Sequence, residues 1–138
     1  MDTGLLIGLI MAGLFVAIAK NKRGAANMPK PSRIRAFNSN ITIETAVKTI
    51  ITYAQISGYK IDDFNERDHI IVLSDLTSLT SYGYIYLIYL NKQSDNSIQI
   101  EIGIKSKSVN PYSIHNDAPL EKCFNGIKAS IYAVSAQS

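Results

Sequence analysis

Residues 97–105 read SIQIEIGIK. Isoleucine stands at 98, 100, 102 and 104, and Gln99, Glu101, Gly103 and Lys105 fill the alternate positions. A period of two sets four branched apolar side chains on one side of an extended chain and the polar ones on the other. This is a strand from a sheet with one covered face, and it needs a second layer to cover it. The preceding segments keep a similar period. Residues 59–64 and 69–75 read as strands joined by a turn at Asn65-Glu66-Arg67-Asp68, and GYIYLIYL at 83–90 is a third strand. The cluster NKQSDNS at 91–97 marks the turn into SIQIEIGIK.

Two segments of different period can supply the cover. In ITIETAVKTIITYAQISG, residues 41–58, the residues Ile43, Ala46, Val47, Ile50, Ile51 and Ala54 recur at helical spacing. Asn40 or Thr42 can cap the start, and Gly58 suits the left-handed position after the end. Residues 118–134 form a second amphipathic helix with Leu120, Phe124, Ile127, Ile131 and Val134 as its stripe. Asp117 is its expected cap, and Pro119 is tolerated in a first turn. Short connections between strands favour an antiparallel meander. The predicted fold is therefore α+β. It is a two-layer α-β-β-β-β-α domain over residues 37–138, with a four-stranded antiparallel sheet and both helices on one face. By element order, and with SYGYIYLIYL as the distinctive stretch, the layout resembles helix-grip and TATA-binding-protein-like folds. It is also similar to small membrane-anchored bacterial domains of unknown function. The resemblance implies no functional residues.

The N-terminal part has a different character. Residues 3–19 form a run of seventeen residues without a charge, in GLLIGLIMAGLFVAIA and its preceding Thr. As a helix this run spans roughly 25 Å, near the hydrocarbon thickness of a bilayer. It is apolar all round, as a core helix of this length would not be. Residues 1–19 are predicted to be a single transmembrane anchor. An Ala-x-Ala pattern at 17–19 gives the alternative of a cleaved signal peptide and an exported domain. However, no Lys or Arg precedes the run, and Lys20, Lys22 and Arg23 follow it. That distribution places the N-terminus outside and the C-terminal domain in the cytoplasm. Gly4, Gly8 and Ala12 share one helix face and suit close helix packing in the membrane, with another copy or a different subunit.

The net charge of +3 is local. Lys20, Lys22, Arg23, Lys30, Arg33 and Arg35 fall within residues 20–36 with no acid among them. Pro29 and Pro31 block a continuous helix there. The segment is predicted to be a basic linker lying against anionic lipid headgroups. It lacks the interleaved aromatics of a nucleic-acid binder, and nucleic acid is not an expected partner.

Residues that could carry chemistry are few. His69 and His115 lack an evident ligand set, and Asp117 serves better as a cap. Cys123 is the one cysteine, without a facing base. The acids Asp62, Asp63, Glu66, Asp68 and Asp75 form a run around the first hairpin, where such residues are favoured. No catalytic residue, cofactor or metal is expected. Tyrosine is more suggestive. With Ile85, Leu87 and Tyr89 pointing to the core, Tyr82, Tyr84 and Tyr86 would join Gln99 and Glu101 on the open sheet face as a protein-binding surface. Together these features predict a non-enzymatic, single-pass membrane protein. Its expected role is as an accessory or assembly subunit of a larger complex, docking through the sheet face or the 106–119 loop. The alternative is a membrane-tethered module for a lipid or small ligand, held between sheet and helices.

Overall fold

A computed structural model describes residues 29–75, 83–106 and 118–137. The elements in order are β1 (Ile34–Ser39), α1 (Ile43–Ser57), β2 (Tyr59–Asn65), β3 (Ile70–Asp75), β4 (Tyr84–Ser94), β5 (Ser97–Ser106) and α2 (Ala118–Gln137). The class is α+β as predicted, but the sheet has five strands in the order β1-β5-β4-β3-β2. All neighbours are antiparallel. β2 to β5 form the expected meander. The additional strand, β1, begins inside the stretch predicted to be linker. Only Phe37 in IRAFNS is a large apolar residue on the helix side, so its period of two was hidden by the flanking prolines and arginines.

Local chemistry explains the element ends. Thr42 is the N-cap of α1, and its hydroxyl accepts from the Thr45 amide at 3.2 Å. Gly58 ends the helix at φ +81°, and its N–H donates to the Ala54 carbonyl. α1 then carries the chain from one sheet edge to the other, because β1 and β2 are the two outer strands. β4 runs four residues past its expected end, and the turn tightens to Asp95-Asn96.

One core joins both helices to one sheet face. Ala46, Val47, Ile50, Ile51 and Ala54 of α1 and Leu120, Cys123, Phe124, Ile127 and Ile131 of α2 pack with Ile71, Leu73, Ile88 and the four isoleucines of β5. Ile50, Ile51, Ile100, Ile102, Ile127 and Ile131 are wholly buried. At roughly 1.5–3 kcal/mol for each such side chain, this face supplies most of the drive to fold. The opposite face has a smaller cluster of Ile70, Val72 and Leu87, with Ile85 and Tyr89 packed against it. The anchor predicted for residues 1–19, with Gly4, Gly8 and Ala12, lies outside the described residues. Among the described residues no helix is long and apolar enough to cross a membrane.

Candidate interaction surfaces

The chain before β1 forms a strap on the sheet face that carries no helix. Two prolines fix its backbone, and Pro31 is buried. Its ring stands over Gly103 of β5. A Cβ on Gly103 would sit 2.7 Å from Pro31 Cγ and 3.3 Å from the Arg33 carbonyl oxygen, so only glycine admits the strap. The Ile104 amide donates to that Arg33 carbonyl at 3.3 Å. Lys30 reaches Glu101 Oε1 at 3.0 Å, and its ammonium lies 5.2 Å from the centre of the Tyr89 ring. Asn91 donates to the same Glu101 oxygen at 2.6 Å. Burial, and then the charge of Glu101, raise the Tyr89 phenol above its ordinary pKa.

Half of the predicted basic patch therefore belongs to the folded domain. Lys30 holds Glu101, Arg35 pairs with Glu121 of α2, and Arg33 lends its carbonyl to β5. Lys20, Lys22 and Arg23 lie outside the described residues. Sequence reasoning missed the strap, although one signal was present. A lone glycine in a strand often marks a place where another backbone comes close, and Gly103 interrupts SIQIEIGIK.

The tyrosines point the other way from expectation. Tyr86 is 2% exposed and joins the helix-side core, with Tyr84 packed against it. Gln99 and Glu101 lie on the opposite face, opposite Asn91 and Tyr89. The five residues therefore do not make one surface, and Tyr82 lies outside the described residues. Both faces of YIYLIYL are apolar, so the period alone could not orient the strand. The pairing decides it: Tyr86 is level with Ile104, and Ile88 with Ile102. Inside the core, the Tyr59 ring meets Tyr86 edge-on at 5.5 Å and lies 5.9 Å from Tyr53. The Tyr86 hydroxyl donates to Asp75 Oδ1 at 3.4 Å, and the Tyr84 amide to Asp75 Oδ2 at 3.3 Å. Burial, chiefly, pushes the Tyr59 and Tyr86 phenols far above their ordinary range. Burial also pushes the neighbouring Cys123 thiol up to about 12, against a smaller lowering by a hydrogen bond with Tyr59. Such a thiol stays protonated at neutral pH and is a poor nucleophile.

A second surface lies where α2 flanks β1. Phe37 meets the rings of Phe124 and Tyr132 edge-on at 5.6 and 5.7 Å. Lys128 sits 5.6 Å from the centre of each of those α2 rings, and Arg35 5.7 Å from that of Phe124. Tyr132 is 46% exposed, so this ladder of cations and rings reaches solvent.

A groove of about 390 Å³ opens at one end of the two layers, lined by Asn40, Ile41, Thr42, Thr45, Asn96 and Val134. Between the helices and the sheet, Ile50, Ile51, Ile100, Ile102, Ile127 and Ile131 are wholly buried. Among the described residues no three of His, Cys, Asp and Glu gather to hold a metal. His69 stands before β3 at φ +56°, its carbonyl accepting from the Leu90 amide, and His115 and Asp117 lie outside the described residues. No protein-family model matches the chain, and no curated protein matches it in sequence.

Proposed function

We propose that this chain is a non-enzymatic, single-pass membrane protein whose α+β domain serves as an accessory or assembly subunit of a larger membrane complex. The observation that carries the reading is the strap. The domain captures its own N-terminal approach from Lys30 onward, through Pro31 over Gly103 and Lys30 on Glu101. Between the apolar run and the strap stand residues 20–29. Ten residues reach at most about 35 Å when fully extended. The anchor at residues 1–19 would hold the domain close beneath the cytoplasmic bilayer surface. Lys20, Lys22 and Arg23 would meet anionic headgroups at about 1 kcal/mol each. Gly4, Gly8 and Ala12 would pack the anchor against a partner helix. A short connection of this kind suits a domain that is positioned rather than one that searches. The raised pKa of Cys123 and its burial give a nucleophilic role no support.

Native mass spectrometry of the untagged protein, extracted from its own membranes in mild detergent, tests this. The expected species has an intact N-terminus and carries other subunits at fixed stoichiometry. Gly4→Leu with Gly8→Leu should loosen that association and leave the domain folded. A chain cut after Ala19 and travelling alone would refute the reading in favour of an exported domain.

A further inference from the structure

β1 and β2 are both edges of the sheet, but they are not equivalent. β2 shifts register between Ile61 and Asp63 and bears Lys60, Asp62 and Asp63, a bulge and charges of the kind that blunt an edge. β1 pairs with β5 without a break from Ile34 to Ser39. The Ile104 amide bonds to the Arg33 carbonyl. By antiparallel alternation, Arg35, Phe37 and Ser39 then turn their backbone groups toward β5, and Ile34, Ala36 and Asn38 turn theirs outward. Among the described residues these outward groups have no backbone partner. Among the described residues the neighbourhood is cationic: Arg35 and Lys128 stand near this edge, and the Glu121 carboxylate pairs with Arg35. Tyr132 offers a half-exposed ring beside them.

We propose that β1 is a docking edge for an extended acidic segment of another protein. That segment adds a sixth strand through Ile34, Ala36 and Asn38 and sets its carboxylates against Arg35 and Lys128. Main-chain bonds supply the attraction and side-chain charge supplies the choice, as in other cases of strand addition. A second copy fits less well, because it brings the same excess of cations to the same edge. The proposal deepens the accessory-subunit reading and rests on it for the kind of protein that supplies the strand.

The test uses the full chain in zwitterionic detergent and two blocked octapeptides, one alternating Glu and Val, the other Lys and Val. The Glu–Val peptide should slow hydrogen exchange of the Ile34, Ala36 and Asn38 amides at least tenfold, less so at high salt, and the Lys–Val peptide should not. Ala36→Pro removes one outward donor and no bond to β5, a substitution an edge strand tolerates. It should abolish the effect, with the Ile98, Ile100 and Ile102 amides still protected. Protection by neither peptide, or by both equally, overturns the proposal. So does binding that survives Ala36→Pro, or protection that grows with protein concentration without peptide, which would mark the edge as a contact between copies. If the peptide results hold but no subunit accompanies the protein from its membranes, the edge stands and the accessory-subunit reading falls.

Discussion

Gly103→Val should release the strap without unfolding the domain. Two carbons attract best at about 3.5–4.0 Å, whereas a Cβ at Gly103 would lie 2.7 Å from Pro31 Cγ and 3.0 Å from Pro31 Cβ. The ring must therefore move by about 1 Å, and the Arg33 carbonyl at 3.3 Å belongs to the backbone and yields poorly. Besides the Ile104–Arg33 backbone bond, three contacts hold the strap. Burying the Pro31 ring contributes roughly 2 kcal/mol at about 25 cal/mol per Å². The Lys30–Glu101 pair adds about 0–1 kcal/mol, since the Lys30 side chain is 52% exposed. Lys30 over Tyr89 adds about 0.5–1 kcal/mol. The total is near 3 kcal/mol, or about a hundredfold protection against local opening at 1.4 kcal/mol per factor of ten. Overpacking of this size costs about 1–3 kcal/mol. Exchange of the Ile104 amide, which bonds to the Arg33 carbonyl, should therefore rise between about tenfold and a hundredfold. The Gln99 and Glu101 amides point to β4 by alternation and should stay protected. Residue-resolved hydrogen exchange of the full chain reads all three. Unchanged exchange at Ile104 would refute the close-approach argument. Uniform acceleration across β5 would show that strap and sheet are one cooperative unit, and that Gly103 has no separate role.

Gly126 of α2 meets the Tyr53 ring of α1, where an added methyl would overlap the phenol and lie 2.6 Å from Cε1. Gly126→Ala should destabilise by about 1–2 kcal/mol in urea unfolding, although alanine is the better helix former by about 1 kcal/mol. In a Tyr53→Ala background the same change should become stabilising, and additive effects would contradict this packing. Thr42→Ala removes the N-cap of α1 and should lower stability by about 1 kcal/mol in the same assay, with no change in slope. The Cys123 thiol ionises near 9.0 when unfolded but only near 12 in the fold. Its contribution is therefore intact below pH 9 and is lost as pH rises through that window. The Tyr59 and Tyr86 phenols are shifted the same way and steepen the fall. Stability that is flat from pH 9 to 12, or a Cys123→Ala variant with the same alkaline profile as the parent, would contradict this.

The core was legible because its residues repeat with a period. The even positions of SIQIEIGIK all face the helices, and the α1 stripe from Ala46 to Ala54 is buried as its spacing demands. Thr42 and Gly58 take the capping positions their chemistry suits. What escaped had weak or doubled periodicity. β1 is six residues long, and charge interrupts it at Arg35. β4 is apolar on both faces, so alternation marked it as a strand but could not choose which side its tyrosines face. Tyr84 and Tyr86 go to the core because their register sets them with Ile104 and its neighbours. Tyr89, on the other face, receives Lys30 instead. A long-range contact made that choice, and the strap sits about sixty residues earlier in the chain.

The strap and the β1 edge are consecutive in sequence, and this constrains how the domain can be used. The chain crosses the open face at Lys30 and Pro31, turns at Arg33 and enters β1 at Ile34. Force applied along the N-terminal segment therefore reaches Pro31 over Gly103 before it reaches β1. A strand added to Ile34, Ala36 and Asn38 would bond to a strand that β5 holds on one side and the strap holds at its start. Loosening the strap should thus weaken strand addition even though Gly103 touches neither the incoming segment nor the outward groups of β1. Measured with the Glu–Val peptide, Gly103→Val should weaken binding up to tenfold, because frayed states at Ile34 must be ordered again before pairing. Equal affinity in parent and variant would mean that β5 alone orders the edge, and that the anchor-side segment and the docking strand work independently.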